Sequence, residues 1–148
     1  MEEKTIFGAF EDIAFVGIAG NRISSVKSIA KVDTGAFSGV VHAENIFEKD
    51  GKLSFDLLGD KKLHFETRDF RIRTVKNTHG GSKTRYLVKF KILIEGKEFE
   101  ALFGIDNRSK MKFEMLIGRA FLIKNNILVD SCRKINLDEE WKLMGEKQ

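Results

Sequence analysis

The sequence predicts an all-β fold, a meander or small barrel, on three observations. Apolar residues alternate with polar ones, most clearly in residues 53–57 and 88–94, where every second side chain is Val, Phe, Ile or Leu. This period of two is typical of half-buried strands. Turn-forming pairs separate such segments, and helical periodicity is scarce.

Eight strands follow from this pattern, each with boundaries uncertain by a few residues. They cover about 12–19, 28–33, 40–48, 53–58, 63–76, 84–94, 98–105 and 127–130. The turn signals between them are Asp50-Gly51, Gly59-Asp60, Gly80-Gly81 and Glu95-Gly96. Since the chain contains no proline, its turns depend on Gly, Asn and Asp.

Two short helices are expected. Residues 118–123 predict one turn of helix. Near the end of the chain, Asn136 followed by Glu139 resembles an N-cap with an acid three residues later. Leu137, Trp141 and Met144 would line one face of that second helix.

The 148 residues, 42% of them apolar, are enough for one domain. We expect a single domain over 1–148, with a core at about 12–130 and a C-terminal extension at 131–148. No apolar run is long enough for a transmembrane helix, and the acidic N-terminus does not resemble a signal peptide. The single cysteine, Cys132, excludes an intrachain disulfide, so we expect a cytoplasmic protein.

Positive charge is concentrated between Arg68 and Lys91, where eight basic residues face one acid, Asp69. Basic side chains on edge strands protect sheets from aggregation. The alternative is attraction for an acidic partner or nucleic acid. Both interpretations are open from the charges alone.

Asp33-Thr34-Gly35 follows an apolar strand and is the strongest chemical motif. Asp-x-Gly turns are common in loops. These three residues alone are therefore also explained as an ordinary turn with no chemical role. In aspartic peptidases the glycine lets the backbone turn tightly, and the aspartate meets a second carboxylate. Two carboxylates about 3 Å apart share one proton, so that one serves as base toward water and the other as acid.

Further segments extend the match. KVDTGAFSGVVHA, RTVKNTHGG, Arg108 with Met111, and LIGRAFL resemble the retropepsin-like aspartic peptidases in order and spacing. They are most similar to a prokaryotic family that often carries the label ATP-dependent zinc protease and is associated with ATP-grasp glutamate ligases. The resemblance covers about residues 12–130 and implies a closed β-barrel with a flap hairpin.

The resemblance also implies the roles of individual residues. Asp33, Thr34 and Gly35 would be catalytic, and Gly118 and Arg119 structural. The substrate-binding residues would be Ala36 and a flap tip formed by His79, Gly80, Gly81 and Ser82. Retroviral members have an acid where this chain has Phe37, so the partner of Arg119 is left open.

One Asp-Thr-Gly per chain implies half a site, so the resemblance predicts a homodimeric endopeptidase with a shared Asp33 pair. The substrate would be a peptide or protein, and the basic flap region favours an acidic one; neither nucleic acid nor membrane is expected. The alternatives are a catalytically idle β-barrel that binds an acidic peptide or RNA, and a dimeric scaffold.

No metal or cofactor is predicted. His42, His64, His79 and Cys132 are far apart in the sequence, and there is no HExxH, paired CxxC or GxxxxGK[ST] motif. The histidines are interpreted as scattered surface or loop residues.

Overall fold

Strands dominate the computed structural model, which describes residues 4–76 and 79–146. The strands are β1 (Thr5–Phe7), β2 (Phe10–Ile18), β3 (Asn21–Val32), β4 (Val40–Lys49), β5 (Lys52–Leu57), β6 (His64–Thr67), β7 (Arg71–Lys76), β8 (Ser82–Ile94), β9 (Lys97–Asp106), β10 (Met115–Ile117) and β11 (Ile127–Val129). The helices are α1 (Arg119–Lys124) and α2 (Glu139–Glu146), with 3-10 turns at Lys61–Leu63 and Ile135–Leu137. The all-β prediction is confirmed. No helix in the described parts of the chain is long and apolar enough to cross a membrane.

Six strands form a closed ring in the order β3, β2, β8, β9, β4 and β10. The ring closes because β10 pairs with β3 in parallel and with β4 in antiparallel orientation. The second half of β4 continues outward into β5 and β6, and β7 extends β8 on the other side. A separate two-stranded parallel sheet joins β1 to β11.

Aromatic side chains connect the core across the ring. Phe15 of β2 contacts Phe90 of β8 with ring centroids 5.5 Å apart, and Phe90 contacts Phe103 of β9 at 6.2 Å. Phe103 in turn lies 5.9 Å from Phe121 of α1. All four rings are buried. Such pairs contribute beyond the burial of their apolar surface, so this row anchors α1 against the sheet.

The predicted strand at 63–76 was wrong as a single element. The chain turns at 67–69, where the backbone N–H of Asp69 donates to Thr67 Oγ1 at 2.9 Å. As a result β6 pairs with β5, whereas β7 pairs with β8. Alternation continues through both segments, so the periodicity could not reveal that they join different neighbours.

Other boundaries differ because their signals were weak. The strands β1 and β10 were not predicted; each has only three residues, and so short a segment gives a weak periodic signal. β3 begins at Asn21 rather than near 28, after a turn in which Ala19 and Gly20 both have positive φ. The first half of β3 is mostly exposed and polar, which hides the alternation.

The cap of the C-terminal helix was also misplaced. Residues 135–137 form a 3-10 turn, so Asn136 and Leu137 precede the helix. Asp138 caps it instead, because its Oδ1 accepts from the backbone N–H groups of Glu140 and Trp141 at 3.0 and 3.2 Å. Trp141 and Met144 lie on this helix and are both about half exposed.

A buried carboxylate ties the C-terminal segment to the ring. Glu11 on β2 is 1% exposed, and it accepts from Gly8 N at 2.7 Å and from the Lys134 ammonium. Lys134 also pairs with Glu95. Burial would lower the pKa of Lys134, but the hydrogen bonds to Glu11 and Glu95 together outweigh it and raise that pKa above its ordinary value.

Replacing Lys134 with methionine should therefore destabilise the fold by about 2–3 kcal/mol, because it leaves a buried carboxylate with one partner fewer. Urea denaturation at pH 7 measures the loss, and the double variant Glu11→Met/Lys134→Met should recover most of it. Since the folded-state pKa is raised, the contribution is full below the ordinary value of 10.5 and is lost as the pH rises through the higher folded value. Equal stability of wild type and Lys134→Met at pH 7 would contradict this account.

Candidate active site

Two parallel strand ends deliver the Asp-Thr-Gly loop. β3 ends at Val32, β10 ends at Ile117, and these two residues are paired in register. The ladder continues one step further, since Asp33 N donates to Ile117 O at 2.8 Å. Asp33 therefore leaves the sheet at the same level as Gly118.

The loop is braced around the Asp33 carboxylate. Gly35 N donates to Asp33 Oδ1 at 2.9 Å, and Ala36 N donates to Asp33 O at 3.2 Å. The backbone of Gly35 is not in the left-handed region, so a positive φ is not the reason for glycine here. A Cβ at this position would lie 3.1 Å from Asp33 Oδ1, and glycine keeps that space open.

The first residues of α1 donate hydrogen bonds to the loop that follows Asp33. Arg119 N donates to Ala36 O at 2.8 Å, and Ala120 N donates to Phe37 O at 3.0 Å. Gly118 permits this approach, because a Cβ there would lie only 2.6 Å from Phe37 O. The structure thus brings Asp33, the residues that follow it and the Gly118-Arg119 segment together.

The partner of Arg119, which the sequence left open, is the loop itself. Its guanidinium donates to Thr34 O and Gly35 O at 3.3 and 3.1 Å. It also lies 5.6 Å from the centroid of the Phe37 ring, within range of a cation–π contact. Backbone carbonyls and an aromatic face therefore contact this cation, which forms no ion pair with a carboxylate among residues 4–76 and 79–146.

The predicted flap corresponds to the hairpin of β7 and β8. Its innermost register pair is Lys76 with Ser82, so the tip spans 77–81, of which 77 and 78 lie outside the described residues. Gly80 has φ +84°, a conformation that favours glycine. The roles of His79, Gly80, Gly81 and Ser82 in binding substrate stay a prediction.

A side-chain contact joins this hairpin to the loop. Arg73 on β7 donates to Ser38 Oγ at 3.1 Å. Neither residue was among the predicted site residues, although Arg73 belongs to the basic segment between Arg68 and Lys91. A signal was available in the alternation of Arg71 and Arg73, which places their side chains on one face of the strand.

The interpretation of His42 as a surface or loop residue was wrong. His42 lies on β4 and is 5% exposed. Arg108 N donates to its Nδ1 at 2.8 Å, so a neutral ring carries its proton on Nε2 and donates it to Glu44 Oε2 at 3.2 Å. Arg108 also donates from Nε to Phe113 O at 3.0 Å, and these contacts hold the loop before β10.

His64 forms a second polar cluster on the outer strands. Its Nδ1 lies 2.7 Å from Asp56 Oδ1, and Asn45 Nδ2 donates to Asp56 Oδ2 at 2.8 Å. The hydrogen bond from Asn45 and then that from His64 lower the pKa of Asp56, while the Asp56 bond raises the pKa of His64. Within residues 4–76 and 79–146, no group of three or more His, Cys, Asp or Glu side chains is placed to hold a metal ion.

Comparison with known proteins adds the family. Residues 16–140 match the model of the RimB-like family, described as the retropepsin-like aspartic endopeptidase RimB. Two proteins named probable alpha-L-glutamate ligase, from Shewanella pealeana and Shewanella halifaxensis, are 31% and 30% identical over 99% and 94% of this chain. The matches cover 32% and 31% of those proteins, so the chain spans about a third of the length of these curated relatives.

A solved structure is also similar. A protein of unknown function from Legionella pneumophila matches with a TM-score of 0.64 and 26% sequence identity. The match covers 86% of this chain and 94% of that one. The overall fold of this chain is therefore similar to one that has been solved experimentally.

Proposed function

Since the chain belongs to the family of the retropepsin-like aspartic endopeptidase RimB, we propose that it is an aspartic endopeptidase that hydrolyses peptide bonds as a homodimer. The observation that carries the proposal is the braced Asp33-Thr34-Gly35 loop at the paired ends of β3 and β10. Asp33 is half-buried, so its carboxylate is partly open to solvent. That is what a group needs if it is to bind a water and a substrate carbonyl.

The homodimer follows from the chemistry. The aspartic-peptidase mechanism uses two carboxyl groups that share one proton. Within the described residues, Asp33 has no second acid among the hydrogen-bond and ion-pair partners of its loop. A two-fold axis near this loop would bring in the Asp33 of a second copy. One carboxylate then deprotonates the water, and the other donates to the substrate carbonyl oxygen.

The proposed substrate is a protein or peptide with an acidic segment. The curated relatives are named probable alpha-L-glutamate ligases, and this chain matches about a third of each. A peptidase that acts together with a glutamate ligase would encounter peptides to which glutamates have been added, and such peptides are acidic. The basic residues of β7 and β8 fit such a substrate by charge.

The pH dependence of hydrolysis tests the mechanism. We expect a bell-shaped profile of kcat/KM with two apparent pKa values that belong to the carboxyl pair as a whole. Activity should survive strong chelators and should be inhibited by a statine-type peptide, which mimics the tetrahedral transition state. Chelator-sensitive activity that zinc restores would instead assign the reaction to a metal centre.

A further inference from the structure

A groove lined by cations lies beside the loop that carries Asp33. It has a volume of about 540 Å³, and it runs over the outer face of β7, β8 and β9 toward α1. Ser38 and Gly39 line the end nearest the loop, and Glu100 lines the other end. Asp33 itself is not part of the lining.

The alternation of the strands explains the charge of the groove. Arg71 pairs in register with Leu87, and Lys89 pairs with Leu102. Paired residues share a face, so Arg71, Arg73 and Lys89 project from the same side of the sheet. Lys124 faces them from α1.

These cations lack acidic partners. Lys83 and Arg85, which lie on the same face, are both paired with Asp106 at 2.6 and 3.0 Å. By contrast, no acid within the described residues forms an ion pair with Arg71, Arg73, Lys89 or Lys124, although all four are exposed. In the lining, four positive charges face one acid, Glu100, so the net charge of the groove is positive and favours an anionic ligand.

We propose that this groove is an exosite that binds a carboxylate-rich peptide segment of the substrate, outside the cleft where the peptide bond is cut. The inference rests on the proposed function for its role in catalysis, but binding itself does not require hydrolysis. Because Ser38 lies five residues after Asp33 and is tied to Arg73, a chain held at the loop can continue directly into the groove. The segment enters at the Ser38 end, since Glu100 repels acids at the far end.

The lining fits a peptide better than RNA. Single-stranded nucleic acid is held largely by bases stacked on exposed aromatic rings. The aromatic residues in the lining are Phe103 and Phe121, and they are only 1% and 6% exposed. The floor is aliphatic, with Leu87 and Leu102, and it suits the methylene groups of acidic side chains.

The test uses binding as well as activity. A fluorescein-labelled peptide with six consecutive glutamates is titrated with the inactive Asp33→Asn protein, alone and with Lys89→Gln/Lys124→Gln added. We call the protein with Lys89→Gln/Lys124→Gln the groove variant. Fluorescence anisotropy should show that it binds the peptide about five- to tenfold more weakly, as expected for the loss of two surface charge contacts. The difference should shrink in high salt. A six-glutamine peptide should bind weakly to both.

The matched control is Lys27→Gln/Lys49→Gln, which removes the same charge from two exposed lysines outside the groove. If the control weakens peptide binding as much as the groove variant does, the loss of affinity is an effect of net charge, and the exosite is overturned. Equal affinity of groove variant and parent would overturn it too. Tighter binding of hexauridylate than of the acidic peptide, lost in the groove variant, would replace the proposal with a nucleic-acid site.

Kinetics separate this inference from the proposed function. With peptides that share one cleavable sequence, the groove variant should raise KM about five- to tenfold for a six-glutamate extension and leave kcat unchanged. KM for a six-glutamine extension should not change. If the wild type cleaves no peptide but the anisotropy difference is present, the proposed function fails and the exosite stands.

Discussion

Replacing Asp33 with asparagine should abolish peptide hydrolysis, with kcat reduced by about 10³–10⁴-fold. The reason is chemical, because an amide can neither deprotonate water nor share a proton with a second carboxylate. An Asn Oδ1 can still accept from Gly35 N, so the loop should keep its shape. Asp12→Asn, at an exposed position on β2, serves as the control and should leave kcat unchanged.

The same variant tests whether two chains share one site. When wild type and Asp33→Asn are mixed equally and exchange subunits, about a quarter of the dimers are wild-type homodimers. Mixed dimers should be nearly inactive, so activity should fall to about a quarter of that of an all-wild-type sample at the same total concentration. Mass-tagged subunits verify that exchange is complete.

Activity of about half would mean that each chain works alone and would defeat the shared pair. A second acid would then have to lie within one chain. Asp106 and Asp130 would be the first to test. Asp106 is already bound by Lys83 and Arg85, and Asp130 Oδ1 accepts from Cys132 N at 2.9 Å, so both have structural tasks.

The second large effect is expected at Gly118, which has no chemical role. In Gly118→Ala the new Cβ would meet Phe37 O at 2.6 Å and the backbone carbon of Ser38 at 2.8 Å. Since these are backbone atoms, the loop has to move. A displacement of about 1 Å from productive geometry can cost about 100-fold in rate, so kcat should fall by roughly that factor. Kinetics at saturating substrate measure it.

Gly145→Ala is the matched control for this substitution. Gly145 lies near the end of α2, and a Cβ there meets no atom within 4 Å. Alanine in a helix is more favourable than glycine, so stability should be unchanged or slightly higher and kcat unaffected. If Gly118→Ala retains full kcat, the contact between α1 and the loop does not position Asp33.

Much of the fold could be predicted because its residues alternate strongly. β5 and the second half of β8 have buried Phe, Leu, Val and Ile at every second position, and this pattern depends only on neighbours in the chain. β6 and β7 could not be separated in this way, since both alternate but pair with different strands. The helix cap at Asp138 was missed because a 3-10 turn occupies the place of the expected first helical turn.

In the candidate site, too, some features were predictable from the sequence and others were not. Asp33-Thr34-Gly35 and Gly118-Arg119 were recognisable because they are short motifs with constrained chemistry. That Arg119 donates to Thr34 O and Gly35 O was not predictable, because 84 or 85 residues separate the partners. His42 was misjudged for a similar reason: Arg108, its donor, lies 66 residues away.

The sequence by itself therefore determined the strand content of this protein, its Asp-Thr-Gly loop and the single copy of that loop per chain. These features are local, since side-chain alternation and a tight carboxylate–glycine turn are encoded within a few residues. Only the tertiary structure decided that β10 lies between β3 and β4, which places Gly118 beneath the loop. It also decided which cations form ion pairs: Asp106 pairs with Lys83 and Arg85, while Arg71, Arg73, Lys89 and Lys124 line a groove and pair with no acid in the part of the chain that the structure describes. Charge pairing depends on distances across strands and between strand and helix, and a linear order of residues does not contain those distances.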